Sequence, residues 1–358
     1  MRHGWAQYSL SLVKALHQAD IKLTVVAARN SLQVEGVPVQ AILPTVVPRE
    51  PSFTVKMMRP MQHVQRLLRD CDVIHVLAEP YAPLGSITAG RRPLLVTAHG
   101  SYVNIGEQER WPLSSLYQRA LMQSTLVCVS HYTAKIAHEL FPDIQTIVVN
   151  NGVDADRFAH IEHNIISDQP IILAVGALKK RKGQLELVRA MPQVLEQFPS
   201  AQCVLIGSLT NELDYVQRIQ AAIAEQHLEE HVQLQGHVPE ETLLDYYRRA
   251  TVFVLPSMND GWKFEGYGLV HLEASAAGLP VIGTKDCGAE DAIDDGVTGL
   301  LVSQTQIEKE LPAAIIRLLR DPALAASMGA AGRKKAQHQT WATVAREMLG
   351  VYNEVIHR

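Results

Sequence analysis

The chain has 358 residues, a formal charge of −4, 47 % hydrophobic residues and 20 % charged residues. These proportions exclude a disordered chain, a collagen-like fibre and a coiled coil. No overall basic field draws the protein to nucleic acid, so any anion it handles needs a local site. Its four cysteines, Cys71, Cys128, Cys203 and Cys287, lie far apart and lack zinc spacing, which fits reduced thiols in a cytoplasmic protein. The longest apolar runs, such as 171–175, fall well short of the roughly 18 residues that cross a bilayer. Nor does a signal-peptide apolar region follow Met1. The expected location is the cytoplasm, with the inner face of the membrane as the alternative.

In chain order, residues 6–16 predict a helix, 23–27 a strand, 61–68 a helix and 72–76 a strand. A strand at 94–97 ends at Ala98-His99-Gly100. A helix at 113–122 leads to a strand at 126–129, and Ser130 caps a helix at 132–140. A short strand at 147–149 runs into Asn150-Asn151-Gly152-Val153-Asp154, and the polar, unpatterned stretch 159–169 reads as a linker. A second series follows, with strands at 171–175, 203–206, 232–234, 252–255, 281–282 and 300–302. Helices at 184–197, 212–225, 240–249, 268–277 and 307–320 fill the gaps, and a last helix at 341–356 closes the chain.

This alternation predicts an α/β protein with two Rossmann-like domains, 1–160 and 161–340, facing across a cleft. Residues 341–358 are expected to pack back toward the first domain. The chain starts on what looks like a glycine loop at Gly4 and passes directly into a helix. The first strand of the N-terminal domain is therefore expected to be missing, and its two neighbours to lose their ladder partners.

The strongest chemical signal is Phe264-Glu265-Gly266-Tyr267-Gly268-Leu269-Val270-His271-Leu272-Glu273-Ala274. Gly266 and Gly268 let the backbone approach a ligand, and the helix that begins there aims unpaired N–H groups at the same place. Glu273 follows Glu265 by two turns and projects from the same side of the helix. Carboxylates beside a phosphate site suit the hydroxyls of a sugar. The plainer alternative makes Glu265 a helix N-terminal charge and Glu273 a surface residue. Glu273, however, sits among Leu269, Val270, Leu272 and Ala274, where an unpartnered carboxylate is costly. The second signal is Val175-Gly176-Ala177-Leu178-Lys179-Lys180-Arg181-Lys182-Gly183, a strand end followed by four cations able to neutralise a diphosphate. A solvated basic turn is the alternative.

Together the two motifs resemble the retaining GT-B glycosyltransferases of family 4. Further matches stand at Gly4, His99-Gly100, Val129-Ser130, Asn151-Gly152-Val153-Asp154, Arg157-Phe158, Gly288-Ala289-Glu290 and Gly296-Val297-Thr298-Gly299. The resemblance implies transfer of a hexose from a nucleotide-diphosphate sugar to a glycan or lipid-linked acceptor, with no cofactor and no metal. It implies that Lys182 binds the diphosphate and that Glu265 holds the transferred sugar. Gly266, Tyr267, Gly268 and Leu269 would contact sugar and phosphate through their backbone, and Glu273 would hold the ribose. Gly236, His237 and Val238 would line the base pocket, His99 would lie near the reacting sugar, and Gly4 would let its loop approach the phosphate. The chain departs from the family at Ala177, where an arginine is usual, leaving Lys179, Lys180 or Arg181 to supply a second cation. A catalytically disabled sugar-nucleotide-binding remnant, a sugar phosphorylase and an epimerase are the competing readings.

Weaker features remain. Asp154-Ala155-Asp156 spells a metal motif of another glycosyltransferase fold but reads here as a turn. Lys56-Met57-Met58-Arg59-Pro60-Met61, with Arg66 and Arg69, is either a solvated helix face or a peripheral membrane contact. For Tyr102, Trp111 and Trp262, stacking on sugars and ordinary packing give the same pattern.

Overall fold

The β-branched runs become parallel strands throughout. The computed structural model describes residues 4–46, 51–108, 113–161 and 168–358, and the chain divides into two units. Trp111 and most of the expected linker, 162–167, lie outside the described residues. One unit comprises Arg2–Asn151 with Trp341–Arg358, the other Gly152–Thr340. The change of unit therefore falls before the linker. The N–H of Val153 donates to the Gln339 carbonyl at 2.9 Å, and Arg333 donates to the Ile161 carbonyl at 2.6 Å. These bonds tie 153–161 to the helix Pro322–His338.

The unit Gly152–Thr340 has a six-stranded parallel sheet. Numbered along the whole chain, its strands are β7 (Ile171–Val175), β8 (Gln202–Ile206), β9 (Val232–Gly236), β10 (Val252–Val254), β11 (Val281–Thr284) and β12 (Gly299–Val302), in the order β12-β11-β10-β7-β8-β9. The central strands β7, β10 and β11 are buried at every position. That is why they read as unbroken apolar runs rather than alternating ones: helices cover both faces of a parallel sheet. The order reverses at β7, and the carboxyl edge of such a sheet is where ligands bind.

In the other unit the strands are β1 (Val25–Ala28), β2 (Val39–Leu43), β3 (Ile74–Val76), β4 (Leu94–Ala98), β5 (Thr125–Cys128) and β6 (Gln145–Val148). They form two separate parallel sheets, β1-β2 and β3-β4-β5-β6. Among the described residues, β1 pairs only with β2 and β3 only with β4. Each of these two strands thus has a described ladder partner on one side. Val13 of the helix Gly4–Gln18 packs in one cluster with Val25 and Leu77, residues that belong to β1 and follow β3. The last helix, Trp341–His357, belongs to this unit, where the Tyr352 hydroxyl lies 2.8 Å from His75 Nδ1.

Beyond the elements expected from sequence, the fold contains β2, the helix Pro51–Met58 and the helix Ala82–Ala89. The alanine-rich sequence 323–331 lies within the helix Pro322–His338. Ser130 caps its helix as expected, accepting the Thr133 N–H at 3.0 Å. No helix among the described residues is long and apolar enough to cross a membrane.

Candidate active site

In the unit Gly152–Thr340, loops that follow β7, β10 and β11 meet at the carboxyl edge of the sheet. Close backbone packing joins them. Gly183, at φ 69°, leaves no room for a Cβ beside the Pro256 carbonyl. Gly288 likewise lies against the Gly266 backbone, and its N–H donates to the Glu265 carbonyl at 2.8 Å. The Met258 N–H reaches the Arg181 carbonyl at 2.9 Å. A side chain at either glycine would push the loops apart, so the sequence of small residues sets how near the charged groups come.

Glu265 is the centre of this assembly. It is 7 % exposed, and its Oε2 accepts hydrogen bonds from Lys182 Nζ, from Arg181 Nη1 at 2.9 Å and from the Ser257 hydroxyl at 3.3 Å. Burial disfavours its charge, but Lys182 and Arg181 outweigh burial and hold the carboxyl well below the usual carboxylate range. Two cations on one carboxylate leave a net positive charge. The backbone then turns through Gly266 and Tyr267 to Gly268, which stands at φ 80° as the N-cap of the helix Leu269–Ala276. The first N–H groups of that helix have no acceptor within it, which favours an anion at this end. His271, fully buried, lies 3.2 Å from the Leu255 carbonyl through Nε2 and pins the helix to the strand end. Burial pushes its pKa down to about 4, so it is neutral near pH 7.

The structure thus brings Lys182 and Glu265 into direct contact beside the glycine turn. Of the four consecutive cations, Lys180 turns to Asp260 at 2.6 Å, while Arg181 joins Lys182 on Glu265.

Glu273 leaves the helix toward a different pair of partners. Arg157 Nη1 approaches its Oε1 at 3.4 Å, and the Tyr247 hydroxyl approaches Oε2 at 3.5 Å. Burial raises the Glu273 pKa and Arg157 opposes that rise. Arg157 also binds Glu240. It is carried by the short 3-10 helix Ala155–Phe158, whose Phe158 is fully buried, so Asp154-Ala155-Asp156 forms the lead-in to this turn. Arg157 and Tyr247 were not singled out as site residues from sequence. The pairing of Arg157 with Glu273 spans 116 positions, and only the motif position of Arg157 could have signalled it. Gly236 ends β9 at φ 62°, with its carbonyl accepting the Gly207 N–H at 2.9 Å; His237 next to it is exposed.

Gly4 and His99 belong to the other unit. Gly4 starts the helix Gly4–Gln18, in which Trp5 packs on Tyr102 with ring centroids 4.4 Å apart. His99 follows β4; its Nε2 is 2.8 Å from the Leu77 carbonyl and its ring meets the edge of Tyr8. Burial pushes its pKa down to about 4, so it too is neutral near pH 7. Its backbone N–H donates at 2.6 Å to Glu79, a fully buried carboxyl that no sequence motif marks. No described lysine or arginine pairs with Glu79, its Oε2 lacks a hydrogen-bond partner, and burial raises its pKa to about 8.

Comparison with known proteins gives two matched families. Residues 156–335 match the family described as Glycosyl transferases group 1, and residues 3–157 match Glycosyltransferase Family 4. The chain is 30 % identical over 328 residues to a GDP-mannose-dependent alpha-(1-6)-phosphatidylinositol monomannoside mannosyltransferase of Mycolicibacterium smegmatis, covering 86 % of this chain and 80 % of that one. It is 32 % identical over 241 residues to a D-inositol 3-phosphate glycosyltransferase of Streptomyces avermitilis, covering 63 % of this chain and 48 % of that one. Among solved structures, sucrose-phosphate synthase of Thermosynechococcus elongatus superposes with a TM-score of 0.78 at 25 % identity, over 99 % of this chain and 94 % of the other. Anabaena HepE, solved with UDP and glucose, gives a TM-score of 0.75 at 16 % identity over 98 % and 96 % of the two chains, a likeness of fold.

Proposed function

The chain belongs to the group 1 glycosyltransferases of GT-B fold and transfers sugar from a nucleotide sugar, and on that premise we propose a retaining, metal-independent hexosyl transfer to a lipid-linked acceptor. The proposed donor is GDP-mannose and the proposed acceptor an inositol-bearing phospholipid, by analogy with the mannosyltransferase it resembles. The setting would be the cytoplasm at the inner face of the membrane.

One observation carries the reading: Lys182 and Arg181 converge on Glu265 next to the Gly266–Gly268 turn at a helix N-terminus. Cleaving a sugar–diphosphate bond builds negative charge on the leaving phosphate. Fixed cations and helix N–H groups stabilise that charge without having to reorganise. Held below its ordinary pKa, Glu265 stays ionised at neutral pH and accepts hydrogen bonds from sugar hydroxyls. Glu273, turned by Arg157 and Tyr247, is suited to the ribose. No nucleophile is assigned: retention follows from attack on the face the diphosphate leaves, with the departing phosphate taking the acceptor proton.

The test is incubation of the purified chain with GDP-mannose, UDP-glucose and phosphatidylinositol-containing vesicles, with release of nucleoside diphosphate and the anomeric configuration of the product read by NMR. GDP release with an α-mannosyl product is expected, and it is expected to survive EDTA. An inverted product would refute retention, loss of turnover in EDTA would refute metal independence, and turnover with UDP-glucose alone would refute the donor.

A further inference from the structure

Glu79 takes no part in the chemistry assigned to Lys182, Arg181 and Glu265. A carboxyl wholly removed from water is costly unless its oxygens are bonded. The bonds that Glu79 makes join three segments of the unit that holds β1–β6. Two of those segments leave the carboxyl ends of β3 and β4, the edge at which parallel sheets take ligands.

The first segment, 77–79, follows β3 and grips His99, the first residue after β4, in two places. The Glu79 carboxyl accepts the His99 backbone N–H at 2.6 Å, and the Leu77 carbonyl stands 2.8 Å from His99 Nε2. A carbonyl only accepts, so Nε2 carries the proton of the neutral ring and Nδ1 keeps its lone pair. Beyond His99, Gly100 turns at φ 120° into the 3-10 helix Ser101–Asn104. The third segment is the start of the helix Gly4–Gln18. There a side-chain hydrogen bond from Trp5 reaches the Glu79 carboxyl. The Trp5 ring packs on Tyr102, and the Tyr8 ring meets His99 edge-on with centroids 4.6 Å apart.

No described lysine or arginine pairs with Glu79, and its Oε2 has no hydrogen-bond partner. A negative charge here has neither counter-charge nor water, and water reaches it only when the join between the segments opens. The titratable groups that face Glu79 from the packed elements are Tyr8 of the helix, Cys128 of β5 and His99. Burial holds Tyr8 and Cys128 up at about 12 and His99 down at about 4. All three are uncharged between about pH 6 and 9, so within this cluster Glu79, at about 8, is the group that changes charge in that range.

We propose that Glu79 is a positioning residue for sugar transfer: its uncharged carboxyl fixes His99 and the start of the helix Gly4–Gln18 at the ligand edge of this unit. The positioning role rests on the transfer reaction proposed above and makes that reaction sensitive to the Glu79 proton.

The test compares wild type, E79Q and E79L in the full chain. Gln keeps an acceptor for the His99 N–H and cannot ionise, whereas Leu has no acceptor. Two quantities are measured at pH 7 and pH 9. One is kcat/KM for nucleoside diphosphate release from GDP-mannose with phosphatidylinositol vesicles. The other is hydrogen exchange of the His99 amide, corrected for its intrinsic rate. With Glu79 titrating at about 8, about a tenth of it keeps its proton at pH 9, so the wild-type to E79Q ratio of kcat/KM should fall about tenfold between the two pH values. His99 protection should fall over the same interval in wild type and stay constant in E79Q. E79L should lose protection at both pH values and at least about tenfold in kcat/KM at pH 7, while E79Q stays within about threefold of wild type there. A merely structural role would lower the unfolding temperature of E79L without moving the wild-type to E79Q ratio with pH. The proposal is overturned by a ratio that is the same at both pH values, by His99 protection that falls equally in wild type and E79Q, or by wild-type protection in E79L. If E79L does not fold, the wild-type and E79Q arms decide. Absence of turnover in wild type would remove the functional reading instead, and the exchange arm would still decide whether Glu79 fixes His99.

Discussion

Glu265 and Glu79 make a controlled comparison within one chain. Both are buried carboxyls at the carboxyl edge of a parallel sheet, 7 % and 0 % exposed. Glu265 faces Lys182 and Arg181 and is held ionised, whereas Glu79 pairs with no described lysine or arginine and carries a pKa of about 8. Burial acts on both in the same direction; the partners decide the outcome. Glu273 falls between them, since Arg157 stands at 3.4 Å and burial still wins. A carboxyl that stays ionised when buried needs its cations nearby. A carboxyl meant to hold a loop, as Glu79 holds the His99 backbone, serves as well when protonated.

The comparison can be broken most sharply at Lys182. Lys182→Ala leaves Glu265 with one cation and the leaving phosphate with less positive charge. Turnover is expected to fall roughly 100-fold or more, about 2.7–4 kcal/mol in the barrier, read as GDP release under saturating donor. A loss under about fivefold would place diphosphate stabilisation elsewhere.

Next in size is the pH dependence that Glu79 imposes on folding. Its folded pKa of about 8 lies above the ordinary 4.5. The folded state therefore keeps a proton that the unfolded chain releases, and stability falls as pH rises from about 4.5 to 8. Glu265 has the opposite sign: its contribution is present above the ordinary carboxylate pKa and is lost as pH falls below it. Glu79→Gln imitates the protonated acid. It should stabilise the protein at pH 8 relative to wild type, by about 2–4 kcal/mol in urea unfolding, and change little at pH 4. A variant whose gain is the same at both pH values would show that Glu79 is ionised in the folded protein, and the contrast with Glu265 would vanish.

Arg157→Gln tests the intermediate case. Glu273 would lose the charge that opposes its burial, so donor KM should rise about tenfold, near 1.4 kcal/mol, with kcat much less affected. The KM defect should also ease as pH rises and Glu273 ionises; a defect in kcat alone would speak against Arg157 orienting Glu273. The smallest effect is expected at Lys180, whose pair with Asp260 is 57 % and 28 % exposed. Lys180→Ala should stay within about 1 kcal/mol in stability and should leave donor affinity close to that of wild type, a check that the basic run does not act as one undivided patch.

How much of this is legible in the sequence varies with the range of the interaction. The strands β7, β8 and β10 read easily because a sheet buried on both faces writes itself as a continuous apolar run. The strand β2, Val39–Leu43, did not, because Gln40 interrupts a short run flanked by Pro38 and Pro44. The Glu265, Gly266, Gly268 and Glu273 spacing was readable because the turn and the helix that position these groups are local. Arg181 was one candidate among three, and only packing of the 180–183 turn against Pro256 turned it toward Glu265 while Lys180 went to Asp260. Glu79 gave almost no signal: Glu79-Pro80-Tyr81 looks like an exposed turn, and its burial comes from elements that lie far away in the chain.

Local pattern, then, was enough for the two α/β series, the glycine turn and the spacing of Glu265 and Glu273 about it, but not for a shared helix: Glu265 precedes the helix Leu269–Ala276 that carries Glu273. The ionisation of Glu265, Glu273 and Glu79 was decided by tertiary structure alone. Charge state depends on what stands within a few ångströms in space, and Arg157, Lys182 and the His99 backbone reach their carboxyls across 116, 83 and 20 positions of chain.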